Sequence, residues 1–238
     1  NTYYDMTANL DARNYDGDHY YMWDAQKQYW KGREWNHGGS QPTLHSWLPG
    51  ATTSNDYPKS NADPRYYNEA FTYGVDNPAT HTPCKDLLNA NEMSWYVMFG
   101  DPRWDKDEVW TTMGHLYKGG MWLKKKSVLQ AEHHYDTEKS ADGSTDMRIT
   151  VKYYSNSNSS INNSGLPSAA DANKYFYLPA LGYYYSGQLY IVGVNGTYWS
   201  SSANPQNSDN AYNLDVRSGY AGVGYGSRDT GFRVDGFE

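Results

Sequence analysis

The stretch Ala211-Tyr212-Asn213-Leu214-Asp215-Val216-Arg217 decides the fold class. Successive side chains of an extended strand point to opposite faces, so Tyr212, Leu214 and Val216 share one side and Asn213, Asp215 and Arg217 the other. Phe232-Arg233-Val234-Asp235 repeats the scheme. Upstream, Tyr175-Phe176-Tyr177-Leu178 and Leu189-Tyr190-Ile191-Val192 are built from strand-favouring residues. Gly193, Gly196, Gly219 and Gly231 punctuate the segment. Residues 174–238 therefore read as an antiparallel meander with one wet face. Gly222-x-Gly224-x-Gly226 is followed by no helix pattern and no Gly-Lys-Ser/Thr, so these glycines bend a hairpin and cradle no phosphate.

Working outward, residues 81–126 carry the helix signal. Asn89 is the expected N-cap, and Glu92 three residues on closes a capping box. Met93, Trp95, Tyr96, Val97 and Phe99 supply the apolar face until Gly100 and Pro102 stop it. A second helix is expected from about Asp105, with Val109, Trp110 and Met113 on one side, ended by Gly119-Gly120. Met121-Trp122-Leu123 then reads as a strand. Lys124, Lys125 and Lys126 are expected on a solvated strand or turn. The run Ser155–Ser164 is almost all Ser and Asn and reads as a loop or hairpin tip inside one domain spanning 1–238. Residues 1–80, broken by Gly38-Gly39, Gly50 and Asp63-Pro64, suggest short strands and long loops, forming part of that domain or an accessory lobe.

Composition narrows the class. The 238 residues carry a net charge of -7, and mean hydropathy is -0.92. Hydrophobic drive is concentrated in 25 Tyr, 9 Trp and 5 Phe, each burying on the order of 150–250 Å². No run of about 18 apolar residues exists, so no membrane insertion is expected of this chain. An acidic balance without a Lys/Arg stripe argues against nucleic acid. No basic segment followed by an apolar run opens the sequence, and any secretion signal is expected to have been removed.

Chemistry-bearing patterns are sparse. Cys84 stands alone, which excludes an internal disulfide and a Cys-based zinc site; it reads as a small buried hydrophobe. His133-His134 with Asp136 is the one metal-like cluster, and neighbouring strand histidines face opposite ways. Asp16-Gly17-Asp18 and Asp142-Gly143 lack the spacing of an EF-hand loop. Twenty Asp against seven Glu is a turn-and-cap composition. Ser200, Ser201 and Ser202 are expected to satisfy backbone groups at a tight crossing. No Gly-x-Ser-x-Gly elbow occurs. No catalytic residue, metal or cofactor is expected.

A family resemblance rests on Tyr177-Leu178-Pro179-Ala180-Leu181-Gly182, Gly187, Tyr198-Trp199-Ser200-Ser201-Ser202, Ala211-Tyr212 and Gly231-Phe232-Arg233-Val234. With Asn89–Trp95 and Trp110–Tyr117, these resemble the Fibrobacter succinogenes major paralogous domain, found in surface and fimbrial-tip proteins of gut Bacteroidetes. The likeness covers about residues 80–238, and 1–80 more loosely. It implies an α+β, C-type-lectin-like fold related to formylglycine-generating enzymes. Two helices in the first half would precede a small twisted antiparallel sheet in the C-terminal half, with many long loops and the last strand beside the first. Calcium-dependent sugar motifs of C-type lectins are absent; the chain offers only Asn204-Pro205-Gln206.

A surface remains. Tyr183, Tyr184 and Tyr185 form an aromatic loop, and Asn213, Asp215 and Arg217 lie on the polar face of one strand. Tyr220, Tyr225, Ser227, Arg228, Asp229 and Arg233 follow from the next hairpin. Tyr and Arg carry binding energy at interfaces, with Ser and Asn as adaptable fillers. The expected function is non-enzymatic binding of a glycan or of a host or phage protein, by an adhesin on the bacterial surface or fimbrial tip. Some proteins of this fold are variable proteins of diversity-generating retroelements, and residues 204–229 are rich in the residues that adenine mutagenesis of Asn codons yields. Two other readings stand beside it: a pilus-capping subunit that contacts other pilins, and a degenerate relative of the formylglycine-generating enzymes with residual activity.

Overall fold

In a computed structural model the chain is described at residues 12–16, 20–35, 43–44, 56–69, 77–158, 161, 166–235 and 237. Three short strands come first: β1 (Arg13–Asn14), β2 (Tyr20–Tyr21) and β3 (Thr43–Leu44). Helix α1 (Ala90–Phe99) follows, then β4 (Arg103–Thr112), β5 (His115–Lys124) and helix α2 (Lys126–Ala131). The second half holds β6 (Tyr154–Ser157), β7 (Tyr175–Pro179), β8 (Tyr183–Tyr185), β9 (Gln188–Tyr190), β10 (Asn195–Ala203), β11 (Asn210–Arg217), β12 (Tyr220–Ser227) and β13 (Phe232–Arg233). Among the described residues the fold is α+β, with helices α1 and α2 and mostly sheet.

Strands assemble in three sheets, ordered β1-β4-β5-β7, β2-β13-β10-β11-β12-β6 and β3-β9-β8. The meander β10-β11-β12 is antiparallel, as the alternation required. β13 runs parallel to β10 and antiparallel to β2, with Phe232 opposite Tyr21 and Arg233 opposite Tyr20. Each strand of the first 44 residues thus pairs with a strand from later in the chain.

Helix α1 forms where its cap places it. The Asn89 side chain accepts from Glu92 N, and the Glu92 carboxylate accepts from Asn89 N at 2.8 Å, which closes the capping box. Met93, Tyr96 and Val97 pack with Leu214, Val216, Ala221 and Val223, all essentially inaccessible to solvent. Each Met, Leu or Val among them contributes about 1.5–3 kcal/mol on burial.

Three expectations fail. Residues 105–113 are strand β4 and its turn, not a helix. Met113 and Gly114 take positive φ of 51° and 70°, the twist of a two-residue hairpin turn, and Trp110 stands opposite Tyr117 across it. Gly119 and Gly120 lie inside β5, where Gly120 accommodates the Tyr177 ring and Gly119 O accepts from Trp110 Nε1 at 3.0 Å. The second helix is α2 instead, opened by Lys126. Ser155, Asn156 and Ser157 are not loop but β6, paired to Gly222, Ala221 and Tyr220 of β12. Residues 159–160 and 162–164 of that run, with Gly17, Asp18, Gly38-Gly39 and Gly50, lie outside the described residues.

Candidate ligand-binding face

One side of β11 and β12, continued by the buried strand β10, carries the alternation's polar residues. Thr197 stands opposite Asp215, Asn195 opposite Arg217, and Arg217 opposite Tyr220. The hairpin β8-β9 lies beside them. Its turn, Ser186-Gly187, takes φ of 47° and 78°, and its register sets Tyr183 opposite Tyr190. The expected aromatic loop is therefore a hairpin. Tyr183 stacks on Tyr190 at 5.8 Å and meets the Phe232 edge at 5.7 Å.

Asp215 is the centre of this face. Burial raises its pKa, against the opposing pull of Arg217 and then Asn195. Arg217 Nη1 stands 3.8 Å from Oδ2 and lies 4.5 Å over the Tyr220 ring. Buried Oδ1 accepts no hydrogen bond among the described residues. Tyr183 and Tyr220 are both pushed to higher pKa, first by desolvation and with a contribution from the Asp215 charge. A half-desolvated carboxylate whose buried Oδ1 is unpartnered among the described residues is thus framed by tyrosine rings and a guanidinium. Such a group holds a donor strongly, because the unmade bond costs it more than water contact would.

Of the expected face, Tyr183, Asp215, Arg217 and Tyr220 come together. Tyr185 is exposed at the β8-β9 hairpin. Tyr225 is 41% exposed at the far end of β12, where its ring meets Tyr153 at 5.2 Å. Ser227 and Asp229 bond each other at 2.7 Å in the turn that follows.

Four residues lie in the interior and form no part of an exposed face. Tyr184 is fully buried, stacked on Tyr29 at 5.1 Å and edge-on to Tyr20 at 4.9 Å. Arg228 lies between the Trp23 and Tyr67 rings, at 5.3 and 5.2 Å. Arg233 is fully buried over Tyr20 and bonded to Asp235 at 2.8 Å. Asn213 is buried beside Gly226, where the Phe232 ring also packs. The wet face is therefore wet only at its β10–β12 end.

Sequence reasoning missed Tyr190 and Asn195. A signal existed for the first: Ser-Gly flanked by Tyr183-Tyr184-Tyr185 and Gln188-Leu189-Tyr190 fits a two-residue hairpin with Tyr183 and Tyr190 paired.

Other expected elements of chemistry are placed as follows. Cys84 is buried and accepts from Asp24 N at 3.3 Å; burial pushes its thiol up to about 12. His134 stacks on Phe99 at 4.1 Å. Asp142 caps its own turn, accepting from Ser144 N and Thr145 N at 2.9 and 2.8 Å. Among the described residues no three His, Cys, Asp or Glu side chains group as a metal site.

Among the described residues no helix is long and apolar enough to cross a membrane. No family model matches the chain, and neither a curated protein nor a solved structure does.

Proposed function

We propose that this chain is a non-enzymatic ligand-binding domain of C-type-lectin-like type, displayed on a bacterial surface or fimbrial tip. Its ligand, a glycan or a protein surface, is held at Asp215, Arg217, Tyr183 and Tyr220. The observation that carries the reading is the Asp215 carboxylate, partly desolvated and with its buried Oδ1 lacking a hydrogen-bond partner among the described residues. The Trp-Ser-Ser-Ser and Gly-Phe-x-Val resemblance supports the finer fold and the setting. A pilus-assembly role finds support in β6, an outer strand of its sheet. That role predicts binding to other pilins which Asp215 substitutions leave unchanged.

A glycan array, followed by titration with the best binder, tests the reading. Asp215→Asn is expected to weaken binding about 10- to 100-fold, the loss of one charge-assisted hydrogen bond worth ~1.5–3 kcal/mol. The pH dependence has a definite sign. The Asp215 pKa is raised in the folded state, so as pH falls its charge is lost earlier than in an ordinary carboxylate, and affinity falls with it. Stability moves the other way: the folded state binds this proton more tightly than the unfolded chain, so protonation favours folding. Affinity declining with acid while the unfolding midpoint holds, and a flat profile for Asp215→Asn, is the expected pattern. Equal affinity of Asp215→Asn and the parent chain at pH 7 overturns the assignment.

A further inference from the structure

The end of β10 opposite the Asp215 site borders a cavity of about 250 Å³. Asn77, Pro78, Asn89, Arg148 and residues 201–203 of β10 line it. Ser201 lies four residues beyond Thr197, the partner of Asp215, so about 13 Å farther along the strand.

The β10–β11 register shifts between Trp199 and Ala203. Bulges of this kind re-aim side chains. Here the three serines take different roles. Ser200 Oγ accepts from Ser202 N at 3.0 Å. Ser202 Oγ accepts from Ala90 N, the first amide of α1, at 3.1 Å. Both meet the expectation that hydroxyls serve the backbone. Ser201 does not: its backbone bonds Leu88 O and Ala79 N, while its hydroxyl has no partner among the described residues. Ser201 is only 7% exposed, and it lines the cavity.

We infer that this cavity is a binding site for an uncharged polyhydroxylated ring, a single monosaccharide unit. Size and charge select that class. The volume falls below the roughly 300–1,000 Å³ that drug-sized ligands occupy. Arg148 is held by Asp146 at 2.8 Å and Glu138 at 2.5 Å, so its charge is already matched and a free anion gains little. Beside Arg148 the lining is neutral: the Ser201 hydroxyl, the Asn77 side chain and the Asn89 amide, which keeps one N–H and one lone pair beyond its bonds to Thr137 O and Glu92 N. Pro78 and Ala203 add apolar wall for the C–H face of a ring.

The test is titration of the isotope-labelled chain with free glucose, galactose, mannose, fucose and N-acetylglucosamine, followed by amide NMR shifts. At least one sugar should saturate with a dissociation constant on the order of 1 mM, moving the amides of Asn89, Ser201, Ser202 and Ala203. Ser201→Ala removes a hydroxyl that bonds nothing among the described residues, so its unfolding midpoint should match the parent. Its affinity should drop at least fivefold, and Asn77→Ala should weaken binding independently. Asp215→Asn should leave this titration unchanged, which separates it from the first site. The proposal is overturned if no sugar moves these amides, if Ser201→Ala binds like the parent, or if acetate or sulfate saturates the cavity in place of sugar.

Discussion

Replacing Asp24 by alanine is expected to lower the unfolding free energy by about 3–5 kcal/mol in chemical denaturation, the usual result of breaking a buried, hydrogen-bonded charge. That is a large share of the roughly 5–15 kcal/mol that holds a domain folded. Asp24 is completely inaccessible to solvent. Its Oδ1 accepts from Thr80 N at 2.7 Å and His81 N at 2.6 Å, and its Oδ2 from Thr80 Oγ1 at 2.8 Å and Asn68 Nδ2 at 3.1 Å. Alanine strands two backbone amides at once. It also puts a Cβ-only side chain at φ +59°, where Asp and Asn are tolerated better than most residues. Asp24→Asn keeps that conformation and one acceptor oxygen, and Thr80 Oγ1 can turn to accept in place of donating. It is expected to cost about 1–3 kcal/mol. The clasp matters beyond stability, because it holds the segment whose Ala79 N bonds Ser201 O and whose Pro78 bridges Ser202. A cost below about 1 kcal/mol for Asp24→Ala would mean that these bonds are not made in solution.

Nothing in the sequence around Asp24 announces this role, since its partners lie 44 to 57 residues away. Local signals fared better. Asn89 and Glu92 mark the start of α1 because a capping box is written within four residues. The β11 alternation is legible for the same reason. Residues 105–113 misled because Val109, Trp110 and Met113 also fit a helical face, while the Met113-Gly114 turn that makes them a hairpin has no strong composition signal. At the candidate face, Asp215 and Arg217 were readable from strand period alone, and Tyr220 from the hairpin that follows. Arg228 and Arg233 were not, because an arginine is buried only when rings from elsewhere enclose it: Trp23 and Tyr67 for one, Tyr20 for the other. In a chain short of aliphatic residues, tyrosines such as Tyr184 serve as core, so ring content does not separate surface from interior.

The joint that carries Tyr183 to Asp215 gives the second large effect. Gly182 bridges Gly196 of β10, and its N donates to Asn195 O at 2.7 Å, so two backbones approach where β8 crosses toward the central sheet. Gly182 has φ +66°, and a Cβ there would lie 2.1 Å from Tyr190 O. The left-handed conformation alone costs a non-glycine residue about 1–2 kcal/mol. The contact adds more, because Tyr190 O belongs to backbone held in the β8-β9 ladder and cannot swing away as a side-chain tip would. Gly182→Ala is therefore expected to lose at least ~3 kcal/mol, among the larger effects of single substitutions. Gly143→Ala is the matched control: φ is +72°, yet nothing lies within 4 Å of the added carbon. It should lose only the conformational cost, about 1–2 kcal/mol. Equal losses for the two variants would show that the Gly182–Tyr190 approach relaxes freely. If the approach is rigid, Gly182→Ala should also weaken the ligand identified on the array, because Tyr183 and its partner Tyr190 must both shift to admit the methyl group. Gly143→Ala, far from that hairpin in sequence and open to solvent, should leave affinity unchanged.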